Sequence, residues 1–237
     1  MILLGNDSGT SETAHALGTE HIADVAYNEF GTPLLSSVFA KAHEVTHGGL
    51  MLYVNADIIL MRDIMRAIDA VPPGDFLLIG QRTNLYVRYA IDFSRPDWES
   101  TMRRRAMEKG VRWGPKAIDY FAFPNTMFRK VPPFAIGRGW WDHWLVSEAM
   151  RSGGKVIDAT ASVLAIHQNH DFLAGEEALR NVALLGGQTE SVTTDLAPFV
   201  LRNGRVQRRY LPHGYNLKRA LGDAYRWVLS RRQTART

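Results

Sequence analysis

The sequence predicts an α/β protein in which a mixed sheet is flanked by helices. Apolar runs rich in strand formers, such as 50–54 and 76–79, alternate with segments whose apolar residues recur at helical spacing, such as 34–42. With 237 residues, 46% hydrophobic and 22% charged, the chain is long enough for a full core and has an ordinary globular composition. The alternation of strands and helices therefore indicates one sheet with helices packed on it.

The elements follow in order along the chain. Strands are predicted at 1–4, 21–25, 50–54, 76–79 and 120–123, with an extended segment at 156–166. Helices are predicted at 11–17, from Pro33 to 42, and at 63–70, 94–110, 140–150 and 176–185. Pro33 is placed at the first helical position, where its missing N–H has no partner to lose. Residues 50–54 are expected to form a buried strand because all five are apolar.

Charge is distributed unevenly. Ten of the 28 Lys and Arg residues lie from Arg202 onwards beside a single acid, Asp223, so the remainder holds 18 basic and 23 acidic residues. The chain contains no cysteine, which excludes disulfides and thiolate metal sites. No apolar run approaches the roughly 18–20 residues that span a bilayer, and the N-terminus lacks the pattern of a signal peptide. We therefore expect a cytoplasmic protein.

The basic end of the chain predicts a separate element. We divide the chain into a domain at 1–190 and a C-terminal extension at 191–237. Within the extension, five apolar residues fall on one helical face: Leu217, Leu221, Ala224, Trp227 and Val228. Basic residues surround this face. Such a helix either lies on an anionic membrane surface, giving peripheral membrane association, or packs its apolar stripe on the domain. No nucleic-acid-binding signature accompanies the charges, so nucleic acid is not a predicted partner.

A short acidic motif interrupts the apolar residues after the third predicted strand. Asn55-Ala56-Asp57 follows residues 50–54 and precedes another apolar run. Ligands of α/β sheets bind beyond the carboxyl ends of strands, and a carboxylate among apolar residues is costly unless its charge is compensated. A divalent cation that holds a diphosphate would compensate it. The motif therefore indicates Asp57 as a ligand of Mg²⁺ or Mn²⁺, although an Asp capping a following helix has the same pattern.

Five segments occur in the order and spacing of a known family. They are the acidic turn at 5–12, the Asn-containing turn at 28–33, the Asn55-Ala56-Asp57 motif, the Trp-rich segment at 139–144 and the His-containing segment at 167–171. Over roughly residues 2–185 the chain resembles bacterial GT-A glycosyltransferases, which use nucleotide sugars. The third segment resembles the Asp-x-Asp signature of that family. The family's first strand has no counterpart ahead of Met1, so we expect either that the start codon is assigned too far downstream or that the protein is a shortened relative.

The resemblance implies a function and a set of site residues. It implies a GT-A-like fold and sugar transfer from a nucleoside-diphosphate sugar to the hydroxyl of a glycan or lipid-linked acceptor. Asp7, Asn55 and Asp57 would bind the nucleotide sugar, and Asp57 and His167 would hold the metal. Asn55 replaces the leading carboxylate, and an amide is a poorer metal ligand. Two other functions stay open: a non-catalytic binding protein with this fold, and a sugar nucleotidyltransferase.

Asp142 is the candidate catalytic base. Its neighbours Trp140, Trp141 and Trp144 would partly desolvate the carboxylate, and desolvation favours proton uptake by raising the pKa. The alternative is that Asp142 caps the helix predicted at 140–150. His167 and His170 follow a predicted strand, where imidazole groups can serve as metal ligands or as structural residues. Of the two, His167 is the predicted ligand.

Overall fold

The computed structural model describes residues 1–46, 48–170, 176–185 and 193–209. Contacts within the chain group it into two compact units, the first built from residues 1–49, 125–145 and 173–189 and the second from residues 50–124, 146–172 and 190–237. The predicted basic helix at 217–228 lies outside the described residues, as does Asp171. Among the residues that are described, no helix combines the length and the hydropathy needed to cross a membrane.

The helices and strands agree with most of the predicted segments to within a few residues. The strands are β1 (Ile2–Leu4), β2 (Glu20–Ile22), β3 (Leu50–Val54), β4 (Ile58–Leu60), β5 (Phe76–Leu85), β6 (Val111–Arg112), β7 (Ile118–Pro124), β8 (Lys155–Asp158), β9 (Ala165–Gln168), β10 (Phe199–Arg202) and β11 (Arg205–Arg208). The helices are α1 (Thr10–Leu17), α2 (Leu35–Val45), α3 (Asp63–Asp69), α4 (Trp98–Lys109), α5 (Trp141–Arg151) and α6 (Glu176–Leu184), with a 3₁₀ turn at Thr194–Leu196.

The first unit contains a parallel pair of short strands, β1 and β2, joined by α1. The helix predicted to begin at Pro33 begins instead at Leu35, so that prediction is wrong. The side-chain oxygen of Asn28 accepts hydrogen bonds from the N–H groups of Phe30 and Thr32, which closes a turn. The turn reverses the chain, and Pro33 then pairs with Tyr27 in an antiparallel bridge instead of starting the helix.

The second unit contains a mixed sheet of nine strands among the described residues. Six of them follow the order β11-β10-β8-β5-β7-β3, with β9 and β6 beside the second half of β5 and β4 beside β9. β5 is parallel to β8 and β9 and antiparallel to β7 and β6. Helix α3 packs on one apolar cluster of the sheet and α4 on another. The predicted α/β class, a mixed sheet flanked by helices, is confirmed.

Burial differs sharply between the strands. β7 and the first part of β5 are almost wholly buried, because both have neighbouring strands on each side. β3 is not the buried strand that we predicted: Leu50 is 49% exposed and Leu52 37% exposed. β3 ends the described sheet and pairs there only with β7, so this apolar run belongs to an edge strand.

The segment predicted as extended over 156–166 consists of two strands. Asp158 accepts a hydrogen bond from the Thr160 N–H, and the carbonyl of Ala159 accepts from Ser162 and Val163, which forms a tight turn. β8 therefore ends at Asp158, and β9 lies beside residues 82–85 of β5. β10 and β11 belong to the segment 191–237. β10 pairs with β11 in antiparallel orientation and with β8, which lies earlier in the chain, in parallel orientation.

Candidate metal site

Three side chains of the second unit converge with their donor atoms. The Asp57 Oδ2 atom lies 3.1 Å from His167 Nε2 and 2.9 Å from His170 Nε2, and all three donor atoms lie within 4.8 Å of one another. His167 is buried, whereas 31% of the Asp57 side chain and 51% of the His170 side chain are exposed. The cluster is therefore anchored in the sheet and open to solvent on the His170 side.

Backbone pairing brings these residues together. The N–H of Ile58 donates to the carbonyl of Asn55, which makes a tight turn between β3 and β4. Ile58 is the register partner of His167, and the Gln168 N–H donates to the Asp57 carbonyl at 2.9 Å. Asp57 is thus fixed at the start of β4, beside the end of β9. It does not cap a helix, since β4 and not α3 follows it.

The chemistry of the cluster fits a cation. Two buried atoms, Asp57 Oδ1 and His167 Nδ1, have no hydrogen-bond partner among the described residues. Burial lowers the pKa of His167, and the nearby Arg82 charge lowers it further, so the neutral imidazole is favoured. A neutral imidazole offers a lone pair to a metal, as a carboxylate does. Asp57, His167 and His170 together could hold one divalent ion.

A partly buried polar network extends from the same turn. The Tyr53 hydroxyl donates to Asn55 Oδ1 at 3.1 Å, and Asn55 Nδ2 donates to Asp119 Oδ1 at 3.2 Å. Arg82 Nη1 donates to both oxygens of Asp119 at 3.1 Å. Burial raises the pKa of Tyr53 well above its usual value, and the nearby Asp119 and Asp57 carboxylates raise it further. Tyr53 therefore stays protonated, which fixes the orientation of the Asn55 amide.

This network gives a first prediction about position 55. Asn55→Asp removes the N–H donor to Asp119 and places a second carboxylate against it. Asp119 is only 6% exposed, so water screens the repulsion between the two carboxylates weakly. We expect the free energy of unfolding to fall by about 1–3 kcal/mol, measured by urea denaturation at neutral pH. Tyr53→Phe, which removes only the hydroxyl, should cost about 1 kcal/mol. An Asn55→Asp variant as stable as the wild type would contradict the assigned amide orientation.

Asp142 and Asp7 belong to the first unit. Asp142 lies in the first turn of α5, its Oδ2 atom 3.9 Å from His143 Nε2, and both side chains are largely buried. Because α5 already begins at Trp141, Asp142 is not the capping residue of the helix, as the alternative predicted, although a carboxylate in the first turn is stabilised by the helix dipole. The carbonyl of Asp7 accepts the Thr10 N–H at the start of α1, and its side chain is exposed.

One buried side chain holds the segment that leads into α5. Asn181 is 1% exposed; its Oδ1 accepts the Ala135 N–H, and its Nδ2 donates to the carbonyls of Ala135 and Gly139, each at 2.9 Å. Asn181→Ala would leave these backbone groups without their partner. We therefore expect the free energy of unfolding, measured by urea denaturation, to fall by about 3 kcal/mol. Leu179→Ala, at a 71% exposed position of the same helix, is the control and should change stability by less than about 0.5 kcal/mol.

The structure therefore brings two predicted ligands together, Asp57 and His167, and adds His170 to them. The hydrogen bonds from Asn55 to Asp119 and from Arg82 to Asp119 could not be predicted from the sequence, because residues 55, 82 and 119 are far apart in the chain and share no motif. Comparison of the chain with protein-family models, with curated proteins and with solved structures finds no match.

Proposed function

We propose that the protein is a GT-A-like glycosyltransferase that transfers a sugar from a nucleoside-diphosphate sugar to an acceptor hydroxyl with the help of a divalent metal. The observation that carries the proposal is the convergence of Asp57 and His167. These residues are 110 positions apart in the sequence, yet their side chains meet at 3.1 Å, and the resemblance assigns both of them to one metal site. The mixed α/β sheet is compatible with the proposed fold family.

Each of the candidate residues would have its own role in binding or catalysis. Asp57, His167 and His170 would hold the cation, which when bound would stabilise the charge of the leaving diphosphate. Two imidazole donors suit Mn²⁺ better than Mg²⁺, which prefers oxygen ligands. Asp7 and Asn55 would contribute to binding the nucleotide sugar. Asp142 would take the proton of the acceptor hydroxyl, a role that applies to an inverting transfer.

The acceptor and location follow from the same proposal. The acceptor would be a glycan or a lipid-linked sugar on the cytoplasmic face of a membrane, reached through the basic C-terminal segment. Deletion of residues 216–237 is expected to release the protein from anionic vesicles in sedimentation assays, because each Lys or Arg near such a surface contributes on the order of 1 kcal/mol. Unchanged sedimentation, or collapse of the thermal unfolding transition, would contradict a membrane role for this segment.

A calorimetric titration tests the central claim. The full chain is first titrated with Mn²⁺ alone. UDP, GDP and TDP are then titrated in separate experiments, with and without the metal. We expect at least one diphosphate to bind in the presence of Mn²⁺ and the binding to disappear when EDTA is added. If none of the three diphosphates binds under any of these conditions, the assignment of a nucleotide-sugar site is wrong.

One observation favours a second function. Asn55 supplies no carboxylate, and its amide is hydrogen-bonded to Tyr53 and Asp119 instead. A protein that binds nucleotide sugars without transferring them would tolerate this loss. Incubation of the protein with nucleotide sugars and candidate acceptors separates the two functions, since only a transferase releases the nucleoside diphosphate in step with product.

A further inference from the structure

The second half of β5 has two chemically different faces. Leu85 packs into the apolar cluster that contains Met102 and Ala106 of α4. Arg82 and Asn84 alternate with Thr83 and Leu85, so they lie on the opposite face of the sheet. In the parallel register, Asn84 is the partner of His167 and Arg82 is the partner of Ala165. The face that carries Arg82 and Asn84 is therefore the face that carries His167.

β6 extends this face by one strand. Asn84 is opposite Val111 and Thr83 is opposite Arg112, and the Trp113 N–H donates to the Arg82 carbonyl at 3.4 Å, which continues the register. Trp113 is therefore opposite Arg82 and on the same face, two strands or about 10 Å from β9. Its side chain is 64% exposed. His167 on β9, Arg82 on β5 and Trp113, the residue that follows β6, thus lie on three neighbouring segments of the chain.

Arg82 has hydrogen-bonding capacity left over. All its side-chain hydrogen bonds to described residues come from Nη1 and go to Asp119. The buried Nε atom has no partner among the described residues, and 22% of the side chain is exposed. A guanidinium with donors to spare beside a metal site suits a phosphate group, which it can bind through two parallel hydrogen bonds.

We propose that Trp113 is the base-stacking residue of this site, and that it receives the nucleobase of a nucleoside diphosphate whose phosphates lie on Arg82 and the cation. The inference rests on the proposed function and names the residue that would bind the nucleoside. The face presents a cation site, then the Arg82 guanidinium and then the Trp113 indole. A nucleoside diphosphate carries its phosphates at one end and its flat base at the other, so the phosphates would match the first two groups and the base the third. An acceptor sugar has no anionic group for Arg82.

The test compares a ligand that has a base with one that lacks it. The full-length wild type, Trp113→Ala and Trp113→Phe are titrated with UDP or GDP and with inorganic pyrophosphate, each in the presence of Mn²⁺. Loss of stacking should weaken binding of the nucleoside diphosphate by Trp113→Ala about tenfold to a hundredfold and leave pyrophosphate binding unchanged. Trp113→Phe should retain most of the affinity. Phe93→Ala, at a 60% exposed aromatic residue that packs against Trp98 of α4, beside the cluster on the opposite face, should bind both ligands like the wild type.

Other outcomes overturn the inference in distinguishable ways. If the wild type binds both ligands and Trp113→Ala binds the nucleoside diphosphate equally well, Trp113 does not stack on the base. Equal loss of both ligands would mean that Trp113 only supports the fold of the site. A raised KM for the acceptor with unchanged nucleotide affinity would assign the indole to the acceptor. If the wild type binds neither ligand, the proposed function fails, and the inference fails with it.

Discussion

Replacement of Asp57 by alanine is expected to abolish metal-dependent nucleotide binding. The Asp57 carboxylate is the only anionic donor of the cluster and contacts both imidazoles, at 3.1 and 2.9 Å. Changes merely to residues that support metal ligands cost 10–100-fold in metal affinity, so loss of a ligand should cost at least about 100-fold. The measurement is calorimetric titration of Asp57→Ala with Mn²⁺ and then with the diphosphate that the wild type binds.

The fold should survive this change, because the contact that places Asp57 uses its backbone. The Asp57 carbonyl still accepts the Gln168 N–H in the variant, and thermal unfolding should show a cooperative transition. Asp69→Ala is the matched control, since Asp69 is an exposed carboxylate at the end of α3 in the same unit. We expect Asp69→Ala to bind Mn²⁺ like the wild type. Wild-type affinity in Asp57→Ala would mean that the cation binds elsewhere.

The sequence predicts elements best where the local pattern is unambiguous. β7 and α3 lie close to the predicted segments, because a compact apolar run and a helical spacing each have one reading. The burial of β3 could not be predicted, since an apolar run has the same composition in a central strand and in an edge strand. The turn between β8 and β9 could not be predicted from hydrophobic periodicity, because it depends on a side-chain hydrogen bond of Asp158.

The second half of β5 shows a related limit. We predicted that the strand ends at residue 79, but it continues to Leu85 through Gln81, Arg82, Thr83 and Asn84. Polar residues in alternation with apolar ones indicate a strand that is exposed on one face, yet four polar residues in succession resemble a loop. The strand persists there because β9 and β6 supply its backbone partners, which are distant in sequence. This extension is what carries Arg82 to the metal site.

The metal site was predictable in part. Asp57 follows a recognisable strand, and His167 falls in a segment with family resemblance, so both could be proposed from the sequence. His170 could only be ranked below His167, since its approach to Asp57 depends on how the chain leaves β9. After the end of β9, the N–H of Asn169 donates to the carbonyl of Leu85 at 3.0 Å, which fixes the direction of the backbone just before His170. No local pattern encodes that contact.

Asp142→Asn is expected to lower the rate of sugar transfer by about 10²–10⁴-fold while nucleotide-sugar affinity stays nearly unchanged. The substitution keeps the size of the side chain but removes its ability to take a proton from the acceptor hydroxyl. The acidic limb of the pH–rate profile should also disappear if it reports this base. The measurement follows kcat with a donor and acceptor pair found by screening nucleotide sugars for turnover, and calorimetry follows donor binding.

The control for Asp142 lies on the same helix. Glu148 forms an ion pair with Arg151 on α5, so Glu148→Gln removes a carboxylate without touching the proposed base and should leave transfer at the wild-type rate. If Asp142→Asn also transfers sugar at that rate, Asp142 serves as the first-turn carboxylate of α5, and the base is another residue. A retaining reaction would give the same result, because it does not require this base, and the anomeric configuration of the product distinguishes the two explanations.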